Sequence, residues 1–456
     1  MQILLVGGGL TGSTLAARLA ATGHDVVLVE RDAAVARRLT AGLDVQVVEG
    51  NGTKARILQE AGIERSDVVF ATTESDEANM VVAMLAATMF RVPRLLVRLR
   101  DPDHEADFTR LARERGGDIQ YRCINPDAAA VDRIISLLTV RGAIDVMRFM
   151  DGELLVAGFR IRVDSDLAGI RVQDMSLLFA NAPTLVVAIQ RGERWIVPHG
   201  AEVLQSGDIA YFAIARSDLE NVVSLVRGEA VATREAAHPR VIVAGATSIG
   251  LDLARRLESK DFQVTLLEEN AEQAKMAAEK LGETIVVNGL PTDQALLEEE
   301  GIERTSVFVA VTPDYEVNLV ACLFAKRLGA ERAFALVDNP DLVHLIGEIS
   351  IDAIISPRLL AVSLALEHIR GGGVRSVAAL LEDRIEVVEG EASPGAPLVR
   401  TALADVDIPR GVLVAAVRRN GRILVPRGKD RIEPGDHILV VSTTENAPRV
   451  AQLLSA

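Results

Sequence analysis

The sequence is poor in the residues on which many functions depend. Its 456 residues include two cysteines, one tryptophan and seven histidines, and aromatics make up 3%. Cys123 and Cys322 stand far apart and outside any CxxC pattern. That excludes a disulfide scaffold and fits a reducing compartment. With so few aromatics, the cores must be aliphatic. His24, His104, His199, His238, His344, His368 and His437 show no metal-ligand spacing, so no metal site is expected. Long hydrophobic stretches are missing too. The longest strongly apolar run, residues 80–90, is about half a membrane span. Residues 1–2 lead straight into a strand-like run at 3–6, so no signal peptide is expected. The expected location is the cytoplasm, peripheral to the inner face of the cell membrane if a partner holds the chain there. Nor is there a basic surplus: net charge is −15, and both halves are acidic. That argues against nucleic acid or an anionic lipid surface as partner.

What is present is a globular composition, 49% hydrophobic and 25% charged. The length suggests roughly three domains as a prior. Internal repetition is more informative. ILLVGGGLTG at 3–12 returns as VIVAGATSIG at 241–250. ATTESDEAN at 71–79 returns as AVTPDYEVN at 310–318. AIQRGERWIVPHGAEVLQSGD at 188–208 returns as AVRRNGRILVPRGKDRIEPGD at 416–436. Three paired segments in one order mean a tandem duplication, each half carrying an α/β block and then a shorter β-rich block. Residues 228–239 read as the linker, and Gly371-Gly372-Gly373 marks a further boundary. The expected domains are 1–140, 141–228, 239–372 and 373–456. The expected fold class is α/β: two Rossmann-like doubly wound parallel sheets, each followed by a small α+β domain.

The apolar run at 3–6 reads as a buried parallel strand. It enters Gly7-Gly8-Gly9-Leu10-Thr11-Gly12, a GxGxxG loop, and a helix with Leu15 and Leu19 follows. The next strand ends at Glu30. Gly7 makes the tight turn, Gly9 lets a pyrophosphate approach backbone, and Gly12 lets helix pack on strand. The phosphates are expected at the helix N-terminus and the adenosine ribose at Glu30. A carboxylate there disfavours a 2′-phosphate. Later strand ends should also face the ligand, which makes Asn51, Thr73, Glu74 and Arg98 candidates, with Arg98 a phosphate partner. Turn chemistry at Asn51, helix capping at Thr73 or Ser75, and a surface cation at Arg98 are the structural alternatives. Valine at Gly9 or Gly12 is expected to abolish nucleotide binding without unfolding the chain. The second copy keeps Gly245, Gly250 and the acid Glu268, a further cofactor-binding candidate, but has Thr247 in place of the middle glycine. Its side chain should crowd a pyrophosphate, and no arginine matches Arg98.

No catalytic set stands out: no GxSxG elbow, no Walker lysine, no cysteine beside a base. The β-rich blocks share Arg191-Gly192 with Gly207-Asp208, and Arg419 and Gly421 with Gly435-Asp436. They read as hairpins of a ligand or pairing module, or of a structural cap. Two function classes stay open on these residues, a regulatory nucleotide-binding protein and an NAD-dependent oxidoreductase.

The loop at 7–12, Glu30, ATTESDEANM at 71–80, Arg98-Leu99-Arg100-Asp101-Pro102, Ile355-Ser356-Pro357 and VPRGKDRIEPGD at 425–436 together resemble a known family. They are similar to the TrkA-type regulatory subunits of Trk potassium uptake systems, built from tandem RCK (KTN) domains. The resemblance covers almost the whole chain. It implies Rossmann-like domains that bind NAD(H) or ATP/ADP at the glycine loop and catalyse nothing. It implies pairing through crossover helices near residues 125–138 and 357–369, and a homo-oligomeric ring, expected as a tetramer of this chain. The ring would sit on a membrane-embedded Trk-type potassium channel subunit and alter ion flux with the nucleotide bound. Thr247 departs from the family pattern and puts nucleotide binding in the second half in doubt.

Overall fold

The computed structural model describes residues 1–114, 119–179, 184–227, 239–260, 262–339, 351–369, 374–380 and 384–454. Most of the expected linker (228–238) and the glycine run 371–373 lie outside the described residues. Strands β1 (Gln2–Val6), β2 (Asp25–Glu30), β3 (Gln46–Glu49), β4 (Val68–Ala71), β5 (Arg94–Arg98) and β6 (Gln120–Ile124) form a parallel sheet ordered β3-β2-β1-β4-β5-β6. The order reverses between β1 and β4, which opens a crevice at the carboxyl ends of those strands. β1 and β4 are apolar at almost every position because helices cover both faces.

The second half repeats this architecture. β12 (Arg240–Ala244), β13 (Gln263–Glu268), β14 (Ile285–Asn288), β15 (Val307–Ala310), β16 (Arg332–Leu336) and β17 (Ala353–Ile355) form a parallel sheet ordered β14-β13-β12-β15-β16-β17. The β-rich blocks are five-stranded antiparallel sheets. The first is β10-β9-β11-β8-β7, from β7 (Asp145–Phe149), β8 (Leu154–Arg160), β9 (Thr184–Arg191), β10 (Arg194–Ile196) and β11 (Ile209–Ala215). The second is β18-β19-β22-β20-β21, from β18 (Val374–Leu380), β19 (Ile385–Glu391), β20 (Val412–Arg419), β21 (Arg422–Leu424) and β22 (His437–Thr443). The expected fold class holds in both halves.

Chain order and packing do not coincide. One compact unit holds residues 1–131 together with 356–369. The other holds 132–355 and the described part of 370–456. The first unit therefore includes the second half's crossover helix, Pro357–Ile369. Its Ala361, Val362, Ala365 and Ile369 join Leu15, Leu19, Phe70 and Leu96 in one hydrophobic core. In the second unit, Arg332 of β16 donates to the Leu137 carbonyl (2.9 Å) and Arg256 pairs with Asp132 (2.7 Å). Both partners belong to the first half's crossover helix, Pro126–Thr139. Residues 132–139 of that helix thus pack in the second unit, while Pro357–Ile369 packs in the first.

The second unit also pairs the two small sheets. Val156, Val187 and Tyr211 of one share a core with Val387, Ala415 and Leu439 of the other. The repeated Arg…Gly-Asp pattern resolves as structure. Arg191 grips the buried Asp208 carboxylate through Nε (2.9 Å) and Nη2 (2.8 Å), and Arg419 grips Asp436 likewise (2.9 and 2.6 Å). Each carboxylate also accepts a backbone N–H, from Gln205 and from Glu433. Asn420 and Gly421 both take positive φ (50° and 74°), as the tight β20–β21 hairpin demands. A cleft of about 770 Å³ lies beside the shared core, with Phe179, His199, Leu413, Arg427 and Arg431 in its walls.

Candidate functional site

The site builds outward from β1. Gly7 takes φ +110°, and a Cβ there would lie 2.9 Å from the Thr73 amide nitrogen. Only glycine fits that turn. Its N–H donates to the Val29 carbonyl (2.9 Å). The helix Leu10–Ala21 starts at Gly9, which has φ −63° and no side-chain cap. A Cβ built on Gly9 meets nothing within 4 Å. Unpaired N–H groups at a helix start carry partial positive charge, so this end is open to an anion. Leu10 is exposed and Thr11 buried beside it. Gly12 serves packing: a Cβ there would fall 1.9 Å from the Gly7 carbonyl oxygen. The expectation that Gly12→Val leaves the chain folded is therefore corrected, because the contact is with rigid backbone.

Glu30 closes β2 and is 9% exposed. One carboxylate oxygen accepts from the Gly8 N–H (2.6 Å) and the other from the Asp32 N–H (2.8 Å). The acid that should meet a ribose thus also shapes the glycine loop. Asn51, exposed after β3, accepts from the N–H and hydroxyl of Thr53 (2.9 and 2.8 Å). That is the turn chemistry offered as its alternative.

Thr73 and Arg98 are bound together by a residue the sequence reading did not single out. Asn79 is fully buried. Its carbonyl oxygen accepts from the Thr73 N–H (2.8 Å) and hydroxyl (2.7 Å), and its amide donates to the Thr73 and Arg98 carbonyls (3.1 and 2.9 Å). Its signal was the repeat itself, since ATTESDEAN and AVTPDYEVN both end on Asn. Ser75 is the helix cap, accepting from the Ala78 N–H (3.1 Å), and Glu74 lies exposed beside it. Asp76 accepts from the N–H groups of Arg100 and Asp101 (2.8 and 2.9 Å), and His104 approaches it to 3.5 Å. Arg98 is half-buried, and its buried Nε finds no hydrogen-bond partner among the described residues. Burial lowers its pKa, as does Arg100, while Asp127, Asp76 and Glu74 act in the opposite sense.

The second half repeats the scaffold with different chemistry. Gly245 takes φ +110°, and a Cβ at Gly250 would lie 2.0 Å from the Gly245 carbonyl oxygen. Glu268 accepts from the N–H groups of Ala246 and Asn270 (2.7 and 2.9 Å), as Glu30 does in the first half. Asn318 repeats the Asn79 bracket on Thr312 and Leu336. Thr247 has nearly the backbone of Gly9, with φ −69°. Its hydroxyl accepts from the Gly250 N–H (3.2 Å) and donates to the Val311 carbonyl (3.0 Å). The helix start left open in the first half is capped here, and Leu336 stands where the first half has Arg98.

Other chemistry is thin. Burial and Glu105 push the Cys123 thiol up to about 11, and burial raises the Cys322 thiol further, so neither is a poised nucleophile. Among the described residues no group of three or more His, Cys, Asp or Glu could hold a metal ion. No described helix is long and apolar enough to cross a membrane.

Residues 3–115 and 241–357 match the TrkA-N domain, and residues 156–227 and 387–455 match the TrkA-C domain. The chain is 30% identical to the Trk system potassium uptake protein TrkA of Azorhizobium caulinodans over 455 residues, covering 99% of this chain and 98% of that one. It is 33% identical to the protein of that name from Halomonas elongata over 447 residues, covering 96% and 95%. Among solved structures, the GsuK channel bound to NAD superposes with a TM-score of 0.62 at 19% identity, covering 99% of this chain and 78% of that one. The GsuK RCK domain gives 0.62 at 18%, covering 99% and 94%.

Proposed function

The chain belongs to the TrkA family, with TrkA-N and TrkA-C domains in tandem, and from this we propose that it is a nucleotide-binding regulatory subunit of a potassium uptake system. Its domains in this reading are 1–140, 141–228, 239–372 and 373–456. It works at the inner face of the cell membrane as a homo-tetrameric ring on a membrane-embedded Trk-type channel subunit. It gates that partner and catalyses no reaction of its own.

One observation carries the nucleotide site: the helix start at Gly9 is open and uncapped, whereas its counterpart at Thr247 is closed by its own hydroxyl. The residues present fit an adenine nucleotide. Gly7 to Gly12 and the helix N–H groups would hold the phosphates, Glu30 would accept from the ribose, Asn51, Thr73 and Glu74 would line the adenosine side, and Arg98 would face the phosphate chain. The nucleotide supplies negative charge and binding energy. It moves the ring only through unequal affinity for two ring states. Glu268 keeps the loop-shaping bonds of Glu30 in the second half and would be the acid to meet a ribose there. The curated relatives are named as Trk potassium uptake proteins, and the GsuK channel carries NAD; both support the reading.

Calorimetry with NAD, NADH, ATP and ADP tests this. About one nucleotide per chain is expected, and Glu30→Ala should weaken it. Two per chain would show that Thr247 tolerates a ligand, and none would remove the site. Reconstituted potassium flux through a Trk-type channel subunit should change when the nucleotide is added. Time-dependent reduction of NAD with a small substrate would overturn the regulatory reading in favour of an oxidoreductase.

A further inference from the structure

The two β-rich blocks share a core in the second unit, and the cleft of about 770 Å³ takes walls from both. That volume falls within the range of about 300–1,000 Å³ usual for small-ligand sites. Met175, Phe179 and Leu185 come from the first block, and Leu413, Leu424 and Ile432 from the second. Phe179 is the one aromatic among the described lining residues. Nucleobases are held by stacking on aromatic faces. These mostly aliphatic walls suit a flexible hydrocarbon body instead. Leu424 is 45% exposed, leaving apolar surface that such a body would take out of water.

The charged lining comes mainly from one loop. Arg427, Asp430 and Arg431 lie between β21 and β22. Arg419 lines the cleft too, but Asp436 and Glu433 already hold it (2.6 and 2.8 Å). The Asp430 carboxylate accepts from the Arg427 N–H (2.6 Å). Among the described residues, neither the Arg427 nor the Arg431 guanidinium has a hydrogen-bond or ion-pair partner. Two guanidinium groups against one carboxylate leave a single positive charge, in a chain whose net charge is −15.

The repeat shows that the fold does not need this charge. The Arg–Asp grip recurs in both blocks, at Arg191–Asp208 and Arg419–Asp436. The loop cations do not recur. Aligning Val197-Pro198-His199 with Val425-Pro426-Arg427 puts Val203 at the position of Arg431.

We propose that this cleft binds a small amphipathic carboxylate, with its hydrocarbon body against the aliphatic walls and its head at Arg427 and Arg431. A planar carboxylate matches the guanidinium fork and carries the one negative charge that the loop calls for. The site is separate from the glycine loop, which belongs to the other compact unit.

The test is calorimetry on the full chain with octanoate, decanoate and dodecanoate below their micelle concentrations, and with decanol as the uncharged counterpart. One carboxylate per chain is expected. Affinity should rise about fourfold per methylene, because each is removed from water. Decanol should bind about tenfold more weakly than decanoate. Arg427→Gln combined with Arg431→Gln, both at exposed positions, should weaken decanoate about tenfold and leave decanol unchanged, since the charged hydrogen bonds to the head are lost. Leu424→Glu should weaken both. A wild-type chain that binds decanol as tightly as decanoate overturns the proposal, and so does unchanged decanoate affinity in the double variant. A wild-type chain that binds none of the three carboxylates overturns it before any variant is made.

Discussion

Gly9→Val is expected to abolish nucleotide binding while the protein keeps its fold and melting temperature. Gly9 has φ −63°, which valine adopts, and a Cβ there points into open space. Thr247 is a natural control, since a β-branched residue already occupies the same backbone conformation in the second half. The valine methyl groups would stand where the phosphates approach the helix start. Saturating nucleotide at about a hundred times its dissociation constant should stabilise the wild type by about 2.7 kcal/mol. That stabilisation should vanish in the variant. Gly12→Val should behave in the opposite way. Its Cβ would lie 1.9 Å from a backbone oxygen, so the first unit should fail to fold at all. Thermal melts with and without nucleotide check both. A Gly9→Val chain that still gains stability from nucleotide would place the phosphates elsewhere, and a well-folded Gly12→Val chain would contradict the close packing of helix on strand.

The second large effect is expected at Asn79. Its side chain makes four hydrogen bonds in a fully buried position, tying the end of β4 to the end of β5. Asn79→Ala strands a buried N–H and two carbonyls. Each orphaned group costs about 1–3 kcal/mol, so a loss of about 3 kcal/mol or more is expected in denaturant titration. The variant also frees Thr73 and Arg98, so nucleotide affinity should fall. Asn318→Ala breaks the equivalent bracket at Thr312 and Leu336 and should cost similar stability. It should leave nucleotide affinity almost untouched. A loss below about 0.5 kcal/mol at Asn79, the range of ordinary surface changes, would show that the bracket does not hold the strand ends. Equal losses of affinity in both variants would show that the two halves do not differ as nucleotide sites.

Much of this was legible along the chain because it rests on local chemistry. Strand-like apolar runs, the glycine loop and Glu30 at the end of its strand are dictated by neighbours a few residues away. Fold class followed from them, and the repeat extended the reading to the second half. The Arg…Gly-Asp blocks were visible as a pattern, but their meaning was not. A bidentate ion pair between Arg191 and Asp208 depends on two strands lying side by side. Asn79 was passed over because an Asn early in a helix reads as surface until burial is known.

The sequence by itself determined the tandem duplication, the two parallel sheets, the position of the glycine loops and the loss of the middle glycine at Thr247. Periodicity and backbone sterics act over short spans and leave their mark in residue order. The tertiary structure alone decided that Thr247 caps its own helix, that Glu30 is already committed to the Gly8 and Asp32 amides, and that helix Pro357–Ile369 packs in the first unit. An apolar helix face is compatible with either sheet, and residue order does not say which one it covers. That choice depends on which exchange buries both faces at once. It is this placement that brings Ala361 and Ala365, far along the chain, beside Thr11, Thr72 and Arg98 in the first unit.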